Sequence, residues 1–239
     1  DGGIEYLRTH PLSSNRVSEA KDRLQEKSED LPKDNLDFQF TKARLIILLS
    51  QQPEYYLDDE VVGKGLIGQY QKALAAIRVQ EPDIAIKILQ KLSKQHQHPW
   101  IPLALAEAYT VKKDDKEALN ILNGLAKLYP GYLPVTMAQV KSLNNNNMPE
   151  KSIALLKNQL QINDYAIIHE ALAKSYYANG QISAALESTG NQYARQGYID
   201  LAIQQYDNAL NQENISLSTR QRLETAKEEL KKVIREYKD

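Results

Sequence analysis

The stretch that decides the fold is PWIPLALAEAYTVKKDDKEALNILNGLAKLYP, residues 99–130. Leu105, Ala106 and Tyr109 fall on one side of a first helical pattern, and Ala118, Leu122 and Leu125 on one side of a second. Lys113-Asp114-Asp115 supplies the turn between them and Pro130 closes the unit. Taking the small residue of the second helix as a marker, Ala85, Ala118, Ser152 and Ala185 follow one another at intervals of 33, 34 and 33 positions. Each marker sits in an amphipathic stretch, such as Ile84 to Leu92 or Ile153 to Leu160, where a small side chain lets paired helices approach closely. The turns agree: Glu81-Pro82-Asp83, Asn144 to Pro149 and Asn179-Gly180 all fall between a first and a second helix.

A helix-turn-helix unit repeating at about 34 residues, with Leu-Ala, Tyr, Ala, a large apolar residue and Pro in this order, resembles the tetratricopeptide repeat. The expected fold is therefore all-α, a solenoid of antiparallel helix pairs. A fifth small residue, Ala202, comes only 17 positions after the fourth, so the helix from Ser183 to Arg195 is expected to pair both backward and forward, its forward partner being Ile199 to Leu210. The closing segment, Ser216 to Tyr237, places Leu217, Leu223, Ala226, Leu230 and Val233 on one side and charges on the other, as a solenoid's polar-faced cap requires. Ahead of the repeats, Leu36 to Leu49 reads as an amphipathic helix, Asn15 to Lys27 as a shorter charged one, and Gln51 to Gly65 as a long mobile connection. The division expected is residues 1–30 as a tail and linker and residues 31–239 as the repeat domain.

Composition narrows the function. Thirty basic against 31 acidic residues leave a net charge of -1, without the basic excess of a dedicated nucleic-acid binder, so protein partners are expected. No apolar run approaches the roughly 18 residues of a membrane span. The longest runs from Leu45 to Leu49, and a soluble chain is expected. There is no cysteine for disulfides or thiolate metal sites. The chain opens on Asp1-Gly2-Gly3 with no initiator Met, which suggests a mature form or an excised piece.

Catalytic patterns are incomplete. His169-Glu170 starts a zinc-binding HExxH helix, but the fifth position is Ala173, and His169 reads as an ordinary helix-face residue. His96 and His98 lie in a turn with no carboxylate beside them, and Gly63-Lys64-Gly65 has no phosphate-loop spacing. A compact hydrolase built on His10 or on His96 and His98 would need a ligand or triad set that is absent. The chain reads as non-catalytic. In solenoids of this kind the first helix of each pair lines the concave groove, which nominates Tyr70, Arg78, Trp100, Glu107, Lys141, Glu170, Lys174 and Tyr177 as partner contacts. Mixed charge with tyrosine suits an extended peptide or a helix. Tyr109, Tyr176, Tyr193 and Tyr206 read instead as core positions of the repeats.

The opening, Tyr6-Leu7-Arg8-Thr9-His10-Pro11-Leu12-Ser13-Ser14-Asn15-Arg16-Val17, fits no repeat. Thr-His-Pro followed by Arg-Val resembles the end of the catalytic domain of M48-family zinc metallopeptidases, many of which continue into tetratricopeptide repeats. The stretch from Asn191 to Tyr198, then Ala202 to Tyr206 and Ala209-Leu210, resembles the last repeats of the same proteins, in particular the periplasmic beta-barrel assembly-enhancing protease group. The resemblance implies a module recruiting unfolded or assembling outer-membrane proteins, the beta-barrel assembly machinery, or its own peptidase domain, in the periplasm of a Gram-negative bacterium. It also implies zinc in a full-length protein, with His10 matching the motif histidine that folds back on the metal. This chain has no HExxH helix or later glutamate ligand, so it cannot assemble that site alone. The alternative is a free-standing repeat adaptor or co-chaperone unrelated to a protease.

Overall fold

The computed structural model describes residues 35–213 and 215–236. The chain divides into two compact units, Asp1–Lys42 and Ala43–Asp239. The first helix, α1 (Leu36–Leu49), begins in one and ends in the other. The second unit continues through a 3-10 turn, Pro53–Leu57, and a short helix α2, Asp59–Val62. Four helix pairs follow: α3 (Leu66–Arg78) with α4 (Pro82–Gln95), α5 (Trp100–Val111) with α6 (Asp115–Leu128), α7 (Leu133–Asn145) with α8 (Pro149–Leu160), and α9 (Ala166–Ala178) with α10 (Ile182–Arg195). The chain closes on α11 (Ile199–Leu210) and α12 (Leu217–Glu236). Among the described residues there is no strand.

The period in the sequence is a period of turns. Gln80, Lys113, Asn147, Gly180 and Gly197 take left-handed backbone, with φ of 65°, 65°, 54°, 71° and 81°, and stand 33, 34, 33 and 17 residues apart. The N–H of the next residue donates back to a carbonyl in the finished helix. Glu81 reaches Ala76 at 2.8 Å, while Asp114 to Tyr109, Met148 to Leu143, Gln181 to Tyr176 and Tyr198 to Tyr193 are each 2.9 Å. That six-to-one bond closes a helix by satisfying one of its orphaned carbonyls, and it requires a left-handed residue just before the donor. Five residues after each left-handed turn residue comes the small marker, whose own N–H makes an early bond of the next helix. Ala85, Ala118, Ser152 and Ala202 have no exposed surface and Ala185 only 4 %. Turn chemistry and close approach are thus set by the same ten or so residues in every unit.

Packing follows from that geometry. In the second pair, Leu103 and Ala106 of α5 bury against Ala118, Leu122 and Leu125 of α6 and Val135 of α7. Val140 of α7 meets Ile153 and Leu156 of α8 and Ile168 and Leu172 of α9. As expected from the short interval before Ala202, α10 packs against both α9 and α11.

Three expectations change. Residues 51–65, read as a mobile connection, hold a 3-10 turn with Pro53 buried in its first turn and a helix capped by the Asp58 carboxylate, which accepts the Glu60 N–H at 2.9 Å. Asp59 then fixes the segment to α3, accepting from Lys72 at 2.8 Å and from Gln69 at 3.0 Å. In α12, Leu223, Ala226 and Leu230 pack toward Tyr206 and Ala209, but Leu217 is 80 % exposed and Val233 36 %. A 20-residue helix is about 30 Å long and its 12-residue neighbour about 18 Å, so both ends overhang. His169 is buried, not a face residue: its Nε2 lies 2.6 Å from Asp164 Oδ1, and Asp164 also accepts from Arg195. The proposed helix from Asn15 to Lys27 lies outside the described residues.

Candidate groove on the first helices

The first helices α5, α7 and α9 lie side by side, and the 34- and 33-residue steps bring equivalent positions into rows. Glu107, Lys141 and Lys174 form one row; Leu103, Met137 and Glu170 form another, one turn earlier. Both rows face a cleft of about 660 Å³. Its floor is apolar and made of short or buried side chains, Leu103, Ala106, Val140 and Ala171, which continue the core outward. Its walls are polar.

One end of the cleft is closed by a residue from outside the repeats. Arg44 of α1 donates to Glu107 at 2.5 Å and to the Tyr70 hydroxyl at 2.9 Å, and its guanidinium sits 5.0 Å from the centre of the Trp100 ring. Burial disfavours the Arg44 charge, but the Glu107 carboxylate and the Tyr70 oxygen outweigh it and hold the proton more tightly than in a free arginine. Burial likewise pushes the Tyr70 phenol above its ordinary range, with Arg44 opposing. Both groups keep their usual charge at any working pH, so this end is a fixed wall. At the far end Lys174 pairs with Glu170 at 2.5 Å across one helical turn. Between them Lys141 is exposed and makes no hydrogen bond or ion pair among the described residues. Asn144, a turn further on, donates to Ser175 at 3.1 Å and bridges α7 to α9.

Of the eight residues nominated from sequence, Trp100, Glu107, Lys141, Glu170 and Lys174 line this one cleft. Tyr70 does not offer itself to a partner: it has no exposed surface, and its hydroxyl accepts from Arg44 at 2.9 Å. Arg78 is spent on main chain, donating to the carbonyls of Ile47 and, at 2.9 Å, Leu48, and so closes the last turn of α1. Tyr177 is 69 % exposed but lies beyond the cleft. Arg44 was missed because it precedes the repeats and obeys no period. Met137 and Asn144 were legible from the 33- and 34-residue steps. His10 lies outside the described residues, among which no three His, Asp or Glu side chains gather to hold a metal ion. No helix among them is long and apolar enough to cross a membrane.

No protein-family model matches the chain. Among solved structures, the MamA RS-1 ArsTM double mutant superposes with a TM-score of 0.51 at 14 % identity, over 72 % of this chain and 97 % of that one. The fold is a tetratricopeptide-repeat solenoid. MamA MSR-1 C2 gives a TM-score of 0.49 at 16 % identity, over 67 % of this chain and 96 % of its own. TTC0263, a thermophilic TPR protein of Thermus thermophilus, gives 0.46 at 20 % identity, over 68 % and 98 %. At these identities the likeness concerns the path of the helices and not what is bound.

Proposed function

We propose that the chain is a non-catalytic protein-interaction module whose groove on α5, α7 and α9 takes a segment of a protein partner. The carrying observation is the convergence of Trp100, Glu107, Lys141, Glu170 and Lys174 on one cleft with an apolar floor. Such a cleft excludes water from apolar side chains while Lys141 and the Glu170–Lys174 pair orient polar ones. Lys141 is the residue to test, since its exposure leaves the fold indifferent to it. Lys141→Glu should leave thermal unfolding unchanged and abolish recovery of at least one protein that the parent chain captures from extract, as read by mass spectrometry. Identical recovery by both chains would remove the groove from the account.

The finer reading rests on the resemblance at the two ends of the sequence. The module recruits unfolded or assembling outer-membrane proteins, or the beta-barrel assembly machinery, for a periplasmic M48 metalloprotease of a Gram-negative bacterium, and docks on that enzyme's own peptidase domain. Zinc then belongs to the peptidase domain, with His10 reaching it from this chain. Capture from periplasmic extract enriched in outer-membrane barrel proteins or their assembly factors supports this reading. Capture confined to cytosolic chaperones replaces it with that of a free-standing adaptor.

A further inference from the structure

Of the charged side chains lining the cleft on the first helices, Arg44, Lys141 and Lys174 are cations, and Glu107 and Glu170 are carboxylates. Both carboxylates are already matched, Glu107 by Arg44 at 2.5 Å and Glu170 by Lys174 at 2.5 Å. The hydroxyl and amide side chains of the lining are engaged as well. Thr110 donates to the Ala106 carbonyl at 3.0 Å, Asn144 to Ser175 at 3.1 Å and Asn145 to Asp115 at 3.5 Å. Lys141 is left as the charged side chain of the cleft that has no hydrogen bond or ion pair among the described residues. The cleft therefore carries a local excess of positive charge in a chain whose net charge is -1.

The place of that charge decides what it can select. Helix α7 packs on both α5 and α9, so Lys141 stands between the Arg44–Glu107 wall and the Glu170–Lys174 pair. Met137 and Ala138 of its own helix, Leu103 of α5 and Ile167 of α9 give the same cleft its apolar surface. A segment that lays apolar side chains on this surface takes water away from Lys141, and an ammonium desolvated without a counter-charge is strongly disfavoured. A carboxylate on the segment offsets that loss, whereas a cation there adds repulsion. Charge elsewhere along the segment meets only ion pairs that are already closed within the chain.

We infer that the groove selects a segment of a protein partner carrying an Asp or Glu side chain between apolar residues, with that carboxylate on Lys141. This deepens the groove reading given above and rests on it. With a closed ion pair on either side, Lys141 is placed to read the interior of a segment and not a chain terminus.

The probe is a phage-displayed library of random dodecapeptides selected on the whole chain, their carboxyl ends fused to the coat protein so that only side-chain carboxylates are free. Selected peptides are then synthesised with amidated carboxyl ends, labelled with fluorescein and followed by fluorescence anisotropy. Binders should carry Asp or Glu flanked by apolar residues. Replacing that acid by its amide should weaken binding by about tenfold or more, the scale of removing one partner of a charge pair at an interface. Higher salt should weaken the acidic peptide as well. Lys141→Glu should weaken the acidic peptide to the same degree and bind better the counterpart with lysine in place of the acid, a reversal that a merely structural role would not produce. Circular dichroism of the exposed variant confirms that it folds. Ile167→Ala, at an exposed apolar position of the lining, tests the groove apart from its charge. A selection that yields no Lys141-dependent binder, or an amide counterpart that binds as tightly as the acid, overturns the inference. In that event weakened binding by Ile167→Ala keeps the groove reading, and binding indifferent to both variants removes it too.

Discussion

Replacing Lys113 by glycine should stabilise this protein, although it removes a side chain and adds no contact. Lys113 sits at φ 65°, where a residue with a Cβ clashes with the following carbonyl at a cost of about 1–2 kcal/mol. Glycine avoids that clash but loses roughly 0.5–1 kcal/mol more backbone entropy on folding. The difference favours glycine by about 0.5–1 kcal/mol, and in a domain of this size about 1 kcal/mol raises Tm by roughly 2–4 °C. Gln80, also at 65°, should behave alike, whereas Asn147, at 54°, belongs to the residue type that tolerates this region and should gain little. The reverse changes, Gly180→Ala and Gly197→Ala, should lower Tm: a Cβ at either site meets nothing within 4 Å, so backbone conformation is the only thing perturbed. Thermal unfolding followed by circular dichroism, with all five variants scanned alike, reads both signs. A Tm that falls in Lys113→Gly, or stays constant in Gly180→Ala, would refute the claim that left-handed closure of each pair sets the repeat.

Other consequences follow from particular contacts. Gly190 of α10 faces Tyr206 of α11, where a Cβ would lie 2.4 Å from the ring, so Gly190→Ala should destabilise by about 1–3 kcal/mol; adding Tyr206→Leu should restore part of the loss in a denaturant titration. Arg44→Ala should cost roughly 1.5–3 kcal/mol by removing the hydrogen bonds it gives to Glu107 and to the Tyr70 hydroxyl, and Arg44→Lys should recover little because one ammonium cannot serve both and stack on Trp100. The Arg195 hydrogen bond holds the Asp164 carboxyl below its ordinary 3.8 against the opposing effect of burial, with a lesser contribution from the His169 hydrogen bond. A carboxyl depressed on folding stabilises above its unfolded pKa and loses that effect as pH falls through the folded value. The clasp of Asp164 on α9 and α10 should therefore be intact at neutral pH and weaken below about pH 4, and Asp164→Asn should flatten that part of a Tm-against-pH curve.

Much of the architecture is written in local sequence, because a left-handed turn residue, the donor after it and the small residue five positions on act within one helix-turn-helix unit. Reading Ala85, Ala118, Ser152 and Ala185 as markers located every pair, and the early Ala202 located the doubly packed α10. The rows of the groove were legible for the same reason: Glu107, Lys141 and Lys174 lie one repeat apart, so the period that stacks the helices also aligns their side chains. What the period could not state is what happens where it stops. Tyr70 and Arg78 occupy groove positions of the first pair, yet Tyr70 is buried with Arg44 on its hydroxyl and Arg78 is drawn onto the carbonyls of Ile47 and Leu48. Arg44, which closes the cleft, and Asp164, which clasps His169 and Arg195, meet partners 63 and 31 residues away that no local pattern links to them. The sequence by itself determined the repeated unit and its phase, since those depend on neighbours a few bonds away; only the tertiary structure decided which groove positions are taken up by contacts from outside the repeats, because those partners are remote in the chain.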